Sequence, residues 1–121
     1  MEASERDEFI LEKIIKYCDE IMMAHDEYHR SFDAFQSNPI YRNAVALCLM
    51  QIGELSIKLS DNFKETHRQI PWRAIKGMRN VVAHEYGNID VETVWETADN
   101  DIEELRRFCV CCLEASENKT E

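Results

Sequence analysis

Glycine and proline are scarce in this sequence: its 121 residues include three glycines and two prolines. An all-β fold would need many more turn residues of these two types, so the composition argues against that fold class. Collagen-like and low-complexity chains are excluded as well, and a hydrophobic content of 45% argues against wholesale disorder. A chain of this length suits one hydrophobic core, and we expect a single domain over residues 1–121.

The sequence also lacks a long apolar segment. No apolar run approaches the roughly 18 residues that a membrane-spanning helix needs. The first eight residues are polar and acidic, which is not the pattern of a secretory signal. The five cysteines are an odd number, and reduced thiols are the default without such a signal. We therefore predict a cytoplasmic protein without a membrane partner.

No motif for a metal or cofactor is evident. A glycine-rich phosphate loop is missing, so we do not expect nucleotide hydrolysis. His25 and His29 are spaced so that both could face one metal ion, but no further ligand has convincing spacing. Cys109, Cys111 and Cys112 lack a paired CxxC arrangement; the first and last fall on an apolar stripe, and Cys111 is expected to point outward. The prediction is no metal site and no cofactor.

Positive charge is scarce overall but concentrated in one segment. The chain has 14 Lys and Arg against 24 Asp and Glu, a net charge of −10. Non-specific binding to duplex DNA is therefore an unlikely first hypothesis, because phosphate attraction dominates such binding. Residues 64–79 nevertheless hold five basic side chains and one acidic one, a local charge of +4. Such a patch can focus an anionic ligand despite the net charge.

Helical periodicity extends over most of the chain. It predicts four helices and one short additional segment, at about 5–29, 39–60, 71–86, 91–115 and 31–36. Ser4 is the predicted N-cap of the first helix, Asn38 of the second and Asp90 of the fourth, and Gly87 follows the end of the third. We expect a polar connection at 63–70 and a frayed tail at 116–121. The predicted fold class is all-α, an up-and-down four-helix bundle with a possible extra short helix.

Apolar residues at helical spacing identify the faces that should form the core. In the first, second and fourth helices these stripes are Ile10, Ile14, Tyr17, Ile21, Ala24 and Tyr28; Tyr41, Val45, Cys48, Ile52, Leu55 and Leu59; and Val91, Val94, Ala98, Ile102, Leu105, Cys109 and Cys112. The middle of the second helix is apolar nearly all round, so we expect it to be central or to face two partners.

Phe32 and Phe35 are expected to fill the end of the bundle. Gly53 costs this helix about 1 kcal/mol relative to Ala, and we expect it to mark a close helix or dimer approach; its neighbour Glu54 either pairs with Arg79 or another cation or is solvated.

Arg79, Asn80, His84 and Tyr86 lie within eight residues near the end of the third helix. Arginine offers a permanent charge and a planar fork that suits phosphate. Histidine titrates near neutral pH and can move a proton during a reaction. These two residue types are sufficient to cleave RNA without a metal. The histidine moves protons as the 2′-hydroxyl attacks the adjacent phosphorus, and the arginine stabilises charge on the phosphate oxygens.

The spacing within this motif raises a geometric difficulty. Five residues of helix advance about 7.5 Å and turn about 140°, so Arg79 and His84 would not lie side by side on a straight helix. Either the arginine reaches along the axis, or the helix deforms, or a second copy completes the site across a two-fold axis. In the adjoining basic segment, Trp72, Arg73 and Lys76 are the candidates for RNA binding. Trp72 either stacks on an unpaired base or belongs to the core.

The motif and its surroundings resemble HEPN domains, whose motif is Arg-x4-6-His. In the form extended by a tyrosine, Arg79-x4-His84-x-Tyr86, they resemble the HepT-like toxins of HepT/MntA toxin–antitoxin pairs. The resemblance covers residues 8–113. Its other elements are Gln51-Ile52-Gly53-Glu54, Ile70-Pro71-Trp72-Arg73, Gly77-Met78-Arg79-Asn80 and Trp95.

This resemblance implies a fold, an activity and a partner. It implies an all-α homodimer in which two motifs meet in a cleft and act as a metal-independent endoribonuclease. Arg79 and His84 match the catalytic pair, and Asn80 matches a polar residue that assists. The partner implied is an MntA-like nucleotidyltransferase antitoxin of a type VII-like pair, which can silence the toxin by attaching AMP to the tyrosine that corresponds to Tyr86. Added phosphate would place negative charge where the substrate phosphate must bind.

Two other functions fit the sequence. The first is a non-catalytic helical module, an assembly or regulatory subunit of a nucleotidyltransferase complex. The net charge of −10 favours protein partners over free RNA and so supports this hypothesis. The second is an RNA-binding protein that does not cleave, whose binding would weaken steeply with salt.

Overall fold

The computed structural model describes residues 4–83 and 91–119. Within these ranges the chain is helical and contains no strand: α1 (Glu5–Glu27), α2 (Phe32–Ser37), α3 (Pro39–Lys58), α4 (Asp61–Thr66), α5 (Trp72–Ala83), α6 (Val91–Glu96) and α7 (Ile102–Lys119). One turn of π-helix, Thr97–Asp101, joins α6 to α7 without interruption. The prediction of an all-α bundle with four long elements is confirmed. None of the described helices has the length and hydropathy needed to cross a membrane.

Helix α3 is the centre of the bundle, as its all-round apolar middle predicts. It packs against α1 on one side and α5 on the other, α1 also packs against α7, and α2 lies across one end of α3. All the α3 residues predicted for its core stripe are buried. Contacts between Asp7 and Ser60 at one end and between His25 and Tyr41 at the other show that α1 and α3 run antiparallel.

Side-chain caps fix where the first helices begin. The Ser4 hydroxyl accepts the backbone N–H of Asp7 at 3.1 Å, and the Asn38 side chain accepts that of Ile40 at 2.9 Å. Both caps are as predicted. The buried carboxylate of Asp7 accepts the backbone N–H of Ser60 at 2.9 Å and its hydroxyl at 2.7 Å. Burial on its own would raise the pKa of Asp7, but the hydrogen bonds from Ser60 and Ser4 together lower it.

Helix α1 ends at Glu27, two residues earlier than predicted, because two left-handed residues follow it. His29 has φ 58° and Arg30 has φ 49°, a conformation that side chains other than glycine adopt rarely. The Arg30 guanidinium is held by Asp99 Oδ1 at 2.7 Å, by the Asp99 carbonyl at 2.7 Å and by Glu103 at 2.9 Å. These bonds to the π-turn and α7 stabilise the strained backbone, and nothing in the local sequence indicates them.

The buried face of α1 is rotated from the predicted stripe. Cys18 and His25 are buried, whereas Tyr17 and Ala24 are only half-buried against the core. The reason is that α1 contacts both α3 and α7, so its buried arc is wider than one stripe. The predicted polar connection at 63–70 begins inside α4, which buries Phe63. The last helix continues to Lys119, beyond the predicted end near 115 and into the tail expected to fray.

Candidate active site

Helix α5 carries the described part of the candidate site. Its core-facing side contains Ile75, which is buried, and Met78, which is half-buried. Trp72, Lys76 and Arg79 are spaced four and three residues apart, so they follow one another along a single stripe of the helix. Local periodicity therefore places the candidate catalytic arginine in line with two of the candidate RNA-binding residues.

Gly53 on α3 lies directly against the backbone of α5. A Cβ atom at this position would be 2.9 Å from the Arg79 backbone nitrogen and 3.1 Å from the Ile75 carbonyl oxygen. The first distance is shorter than real Cβ atoms show and the second is tighter than most, so any side chain at this position would force α3 and α5 apart. The predicted close approach of the two helices is confirmed. It places the Arg79 backbone directly against α3.

Glu54, the next residue on α3, contacts the Arg79 side chain. Its Oε1 lies 3.4 Å from Arg79 Nη1, which settles the open question of its partner. The contact is long, and the two side chains are 44% and 36% exposed, so the ion pair is weak. A guanidinium has five N–H donors, and within the described part of the chain Glu54 is the one side chain that pairs with Arg79.

The RNA-binding candidates line a pocket of about 230 Å³ between α3, α4 and α5. We call it the basic pocket, and its lining residues are Ser56, Ile57, Lys64, Trp72, Arg73 and Lys76. The structure thus brings the three sequence-predicted candidates together. Lys64 was counted in the basic segment but not singled out, and Ser56 and Ile57 were missed. The signal that could have identified them is the antiparallel pairing of α3 with α5 beside Gly53.

Trp72 is part of the core as well as of this pocket. Its ring is half-buried and packs near Phe63 and Phe108, with centroids 6.1 and 6.0 Å away. Its indole N–H donates to the His67 carbonyl oxygen at 3.0 Å. The hydrogen-bonding capacity of the indole is therefore used within the protein, and only the remaining ring surface faces the pocket.

Several predicted site residues lie outside the described part of the chain. These are His84, Tyr86 and the side chain of Asn80, although the Asn80 backbone belongs to α5. The predicted end of the third helix at Gly87 and the cap at Asp90 are outside it too. The distance from Arg79 to His84 accordingly stays a prediction.

Of the two histidines considered as a metal site, His25 has a structural role instead. His25 is buried, and its Nε2–H donates to the Ala98 carbonyl oxygen at 3.2 Å, which leaves Nδ1 to accept the Tyr41 hydroxyl at 2.6 Å. Burial lowers the pKa of His25 and raises that of Tyr41 to about 12. His29 is exposed. Among the described residues, no group of three His, Cys, Asp or Glu side chains could hold a metal ion.

The three cysteines of the last helix lie as predicted, with the first and last towards the core and Cys111 outward. Cys109 is buried, Cys112 is half-buried and Cys111 is exposed. Burial also raises the pKa of Cys18 and of Cys48 to about 12, so neither thiol is a reactive nucleophile.

Comparison with known proteins identifies a family. Residues 8–111 match the family model described as "Ribonuclease HepT-like". The chain is similar to "Putative RNase MJ1216" of Methanocaldococcus jannaschii, with 32% identity over 108 residues that cover 89% of this chain and 88% of the relative. It is also similar to "Probable ribonuclease HepT" of Thermococcus cleftensis, with 36% identity over 75 residues that cover 62% and 68% of the two chains. No solved structure matches the chain significantly.

Proposed function

The chain belongs to the Ribonuclease HepT-like family, and from that premise we propose that it is an endoribonuclease that acts as the toxin of a toxin–antitoxin pair in the cytoplasm. The observation that carries the proposal is the family match over residues 8–111. The position of Arg79 supports it, because the guanidinium is partly exposed, weakly paired and next to a pocket lined by three further cations.

The proposed reaction is cleavage of an RNA phosphodiester by its own 2′-hydroxyl. The 2′-oxygen attacks the adjacent phosphorus, the bond from phosphorus to the 5′-oxygen breaks, and the products are a 2′,3′-cyclic phosphate and a 5′-hydroxyl. His84 takes the proton from the 2′-hydroxyl and then, as the imidazolium, supplies it to the departing 5′-oxygen. Arg79 binds the non-bridging oxygens as negative charge develops on them, and Asn80 assists.

We further propose that the active species is a homodimer. The outward face of α3 carries Ile40 and Leu47, which are 70% and 52% exposed, with exposed Ala44 between them. Helical spacing continues this stripe to Glu54, the partner of Arg79. A second copy that covers the stripe would lie beside the candidate arginine, which suits a site completed across a two-fold axis.

The proposed partner is an MntA-like nucleotidyltransferase antitoxin. It would restrain the toxin by transferring AMP to the Tyr86 phenolic oxygen. Tyr86 follows His84 by two residues, so an added phosphate would repel the substrate phosphate electrostatically. Mass spectrometry of the protein purified with and without this partner tests the proposal, because AMP on Tyr86 should occur only in the first sample.

An RNA cleavage assay in excess chelator tests the activity. Purified protein whose Tyr86 is unmodified is incubated with total RNA, beside Arg79→Ala, His84→Ala and the matched control Arg107→Ala, which removes an exposed arginine from α7. We expect the first two variants to lose about 10²- to 10³-fold in rate, as for removal of one oxyanion-stabilising group. The Arg107→Ala control should cleave RNA at the same rate as the protein without substitutions.

Two outcomes would contradict the assignment. Equal cleavage by all the variants would indicate a contaminating nuclease. No cleavage by the unmodified protein, combined with tight binding to the nucleotidyltransferase, would favour the non-catalytic regulatory subunit. The dimer is tested separately by sedimentation: Leu47→Glu should give monomers, whereas Met23→Glu, which alters a 67% exposed methionine on α1, should not.

A further inference from the structure

Among the described residues, the side-chain donors of the basic pocket that have no hydrogen-bond partner are those of its cations. The Trp72 N–H is used by the His67 carbonyl at 3.0 Å, and the Ser56 hydroxyl donates to the Gly53 carbonyl at 2.7 Å. The remaining donors are the ammonium groups of two lysines and one guanidinium, on Lys64, Lys76 and Arg73. A ligand that fits this set must accept several hydrogen bonds and carry negative charge.

No internal anion neutralises these cations within the described part of the chain. No acidic residue lines the pocket, and Lys64, Arg73 and Lys76 form no ion pair there. In contrast, Arg30 is paired at 2.7 Å and Arg106 at 2.6 Å. Three cations around one recess repel each other, and an external anion would relieve that repulsion.

The basic pocket and the site at Arg79 lie on neighbouring turns of the same two helices. On α5, Lys76 precedes Arg79 by three residues and Arg73 by six, which are about 4.5 Å and about 9 Å along the helix axis. On α3, Ser56 lies one turn from Gly53, which contacts the Arg79 backbone. The pocket and the candidate arginine therefore occupy successive positions along the α3–α5 junction.

The size of the pocket indicates more than a single small ion. Its volume of about 230 Å³ is well above the roughly 10–15 Å³ that a cavity needs to hold one water molecule. The free surface of the Trp72 ring forms one wall, and aromatic walls beside cationic grooves are typical of sites for unpaired nucleotides.

We propose that the basic pocket binds the backbone phosphate and sugar of the nucleotide next to the scissile phosphate in single-stranded RNA. The inference rests on the proposed ribonuclease function and adds a substrate subsite to it. Arg79 binds the phosphate that reacts, and Lys64, Arg73 and Lys76 bind its neighbour. The pocket thereby positions the strand along α5.

Equilibrium binding to a single-stranded 2′-O-methyl oligoribonucleotide tests the subsite without cleavage, because this probe lacks the attacking hydroxyl. The variant is Arg73→Gln with Lys76→Gln. Its matched control is Lys13→Gln with Lys16→Gln, two exposed lysines at the same three-residue spacing on α1. We expect the pocket variant to bind about tenfold more weakly or worse, with the slope of log K against log salt reduced by about 0.7, the value for one phosphate of a single strand. The control should shift neither quantity by as much.

Cleavage of substrates of increasing length tests the position of the subsite. A ribodinucleotide with one phosphate is compared with trinucleotides extended at the 5′ or the 3′ side. The added phosphate should raise kcat/KM about tenfold in the unmodified protein and the control, on one side only. In the pocket variant this gain should fall to twofold or less.

The results separate the subsite from the proposed function. Equal affinity, salt slope and length dependence in pocket variant and control would overturn the subsite, even if the protein cleaves RNA. Pocket-dependent binding in a protein that cleaves nothing would support RNA binding by the pocket but would contradict the proposed cleavage. A pocket variant that binds RNA normally but loses an acidic protein partner would overturn the proposal in favour of protein recognition.

Discussion

The two ends of α3 use their polar groups in opposite ways. At one end, which we call the closed end, the polar groups are bonded within the protein. Both ring nitrogens of His25 are hydrogen-bonded, and the Arg30 guanidinium has three oxygen partners. The members of the aromatic cluster around His25 are Tyr28, Phe32, Phe35, Tyr41 and Trp95. About 22 Å away along the helix axis, the basic pocket leaves three cations without ion pairs in the described chain.

This difference separates the parts of the molecule that hold the fold from those available for a ligand. A buried polar group without a partner is costly, and at the closed end the buried side chains of His25 and Tyr41 are hydrogen-bonded to each other. A cation at a solvent-facing recess costs little in water, and without an internal partner its charge is available to an external anion. Substitutions at the closed end should therefore change stability, and those at the basic pocket should change function.

The largest expected effect is on stability, at the closed end. Phe35 is fully buried, and its ring lies 5.3 and 5.2 Å from those of Tyr41 and Trp95. Phe35→Ala should lower the free energy of unfolding by about 3–5 kcal/mol because it leaves a cavity. Chemical denaturation measures this, with Phe9→Ala, at a 58% exposed site on α1, as the near-neutral control. A loss under 1 kcal/mol at Phe35 would contradict the closed packing.

The two helical glycines offer the next test, because only one is crowded. Gly53→Ala places a Cβ 2.9 Å from the Arg79 backbone, so α3 and α5 must separate, at about 1–3 kcal/mol. The same shift moves Arg79 and should reduce RNA cleavage. Gly77→Ala meets nothing within 4 Å and should instead stabilise the protein by about 0.5–1 kcal/mol. Equal effects of the two substitutions would show that the helices are not in tight contact at Gly53.

A smaller effect is expected from pH, through the histidine at each end. Burial lowers the pKa of His25 and of His67, so the folded protein resists protonation that the unfolded chain accepts near 6.5. The stability contributed by each neutral ring is present above that value and is lost as pH falls below it. His25→Gln should shrink the difference in unfolding free energy between pH 8 and pH 5 more than His67→Gln, since His25 is the more buried. Equal changes would contradict that ranking.

The smallest expected effect on stability is at two arginines, one in an ion pair and the other the candidate catalytic residue. Arg106 Nε lies 2.6 Å from Asp19, but both side chains are over two-fifths exposed, so Arg106→Gln should cost only about 0–1 kcal/mol of stability. Arg79→Gln should cost equally little stability, because its contact with Glu54 is 3.4 Å long. RNA cleavage should distinguish them: it should persist in the first variant and be lost in the second. Cleavage lost in both would indicate a defect outside the site.

Sequence periodicity and capping chemistry predicted most of the fold. The caps at Ser4 and Asn38, the core stripe of α3 and the close approach at Gly53 depend on residues within a few positions or on the absence of a side chain. The basic segment at 64–79 could also be predicted, because its charged residues are close together in the sequence. Pairing of Glu54 with Arg79 was one of several options, because both side chains could have faced solvent.

Other features required elements far apart in the chain to meet. The left-handed pair His29 and Arg30 exists because Arg30 reaches carboxylates and a carbonyl about 70 positions later. Burial of His25 depends on Tyr41 and on a carbonyl of the π-turn. The sequence by itself determined the long helices, the caps at Ser4 and Asn38 and the local concentration of positive charge, because these arise from contacts within a turn or two of the chain. Only the tertiary structure decided which cations share one pocket and which are neutralised, because that depends on where α3, α4 and α5 pack.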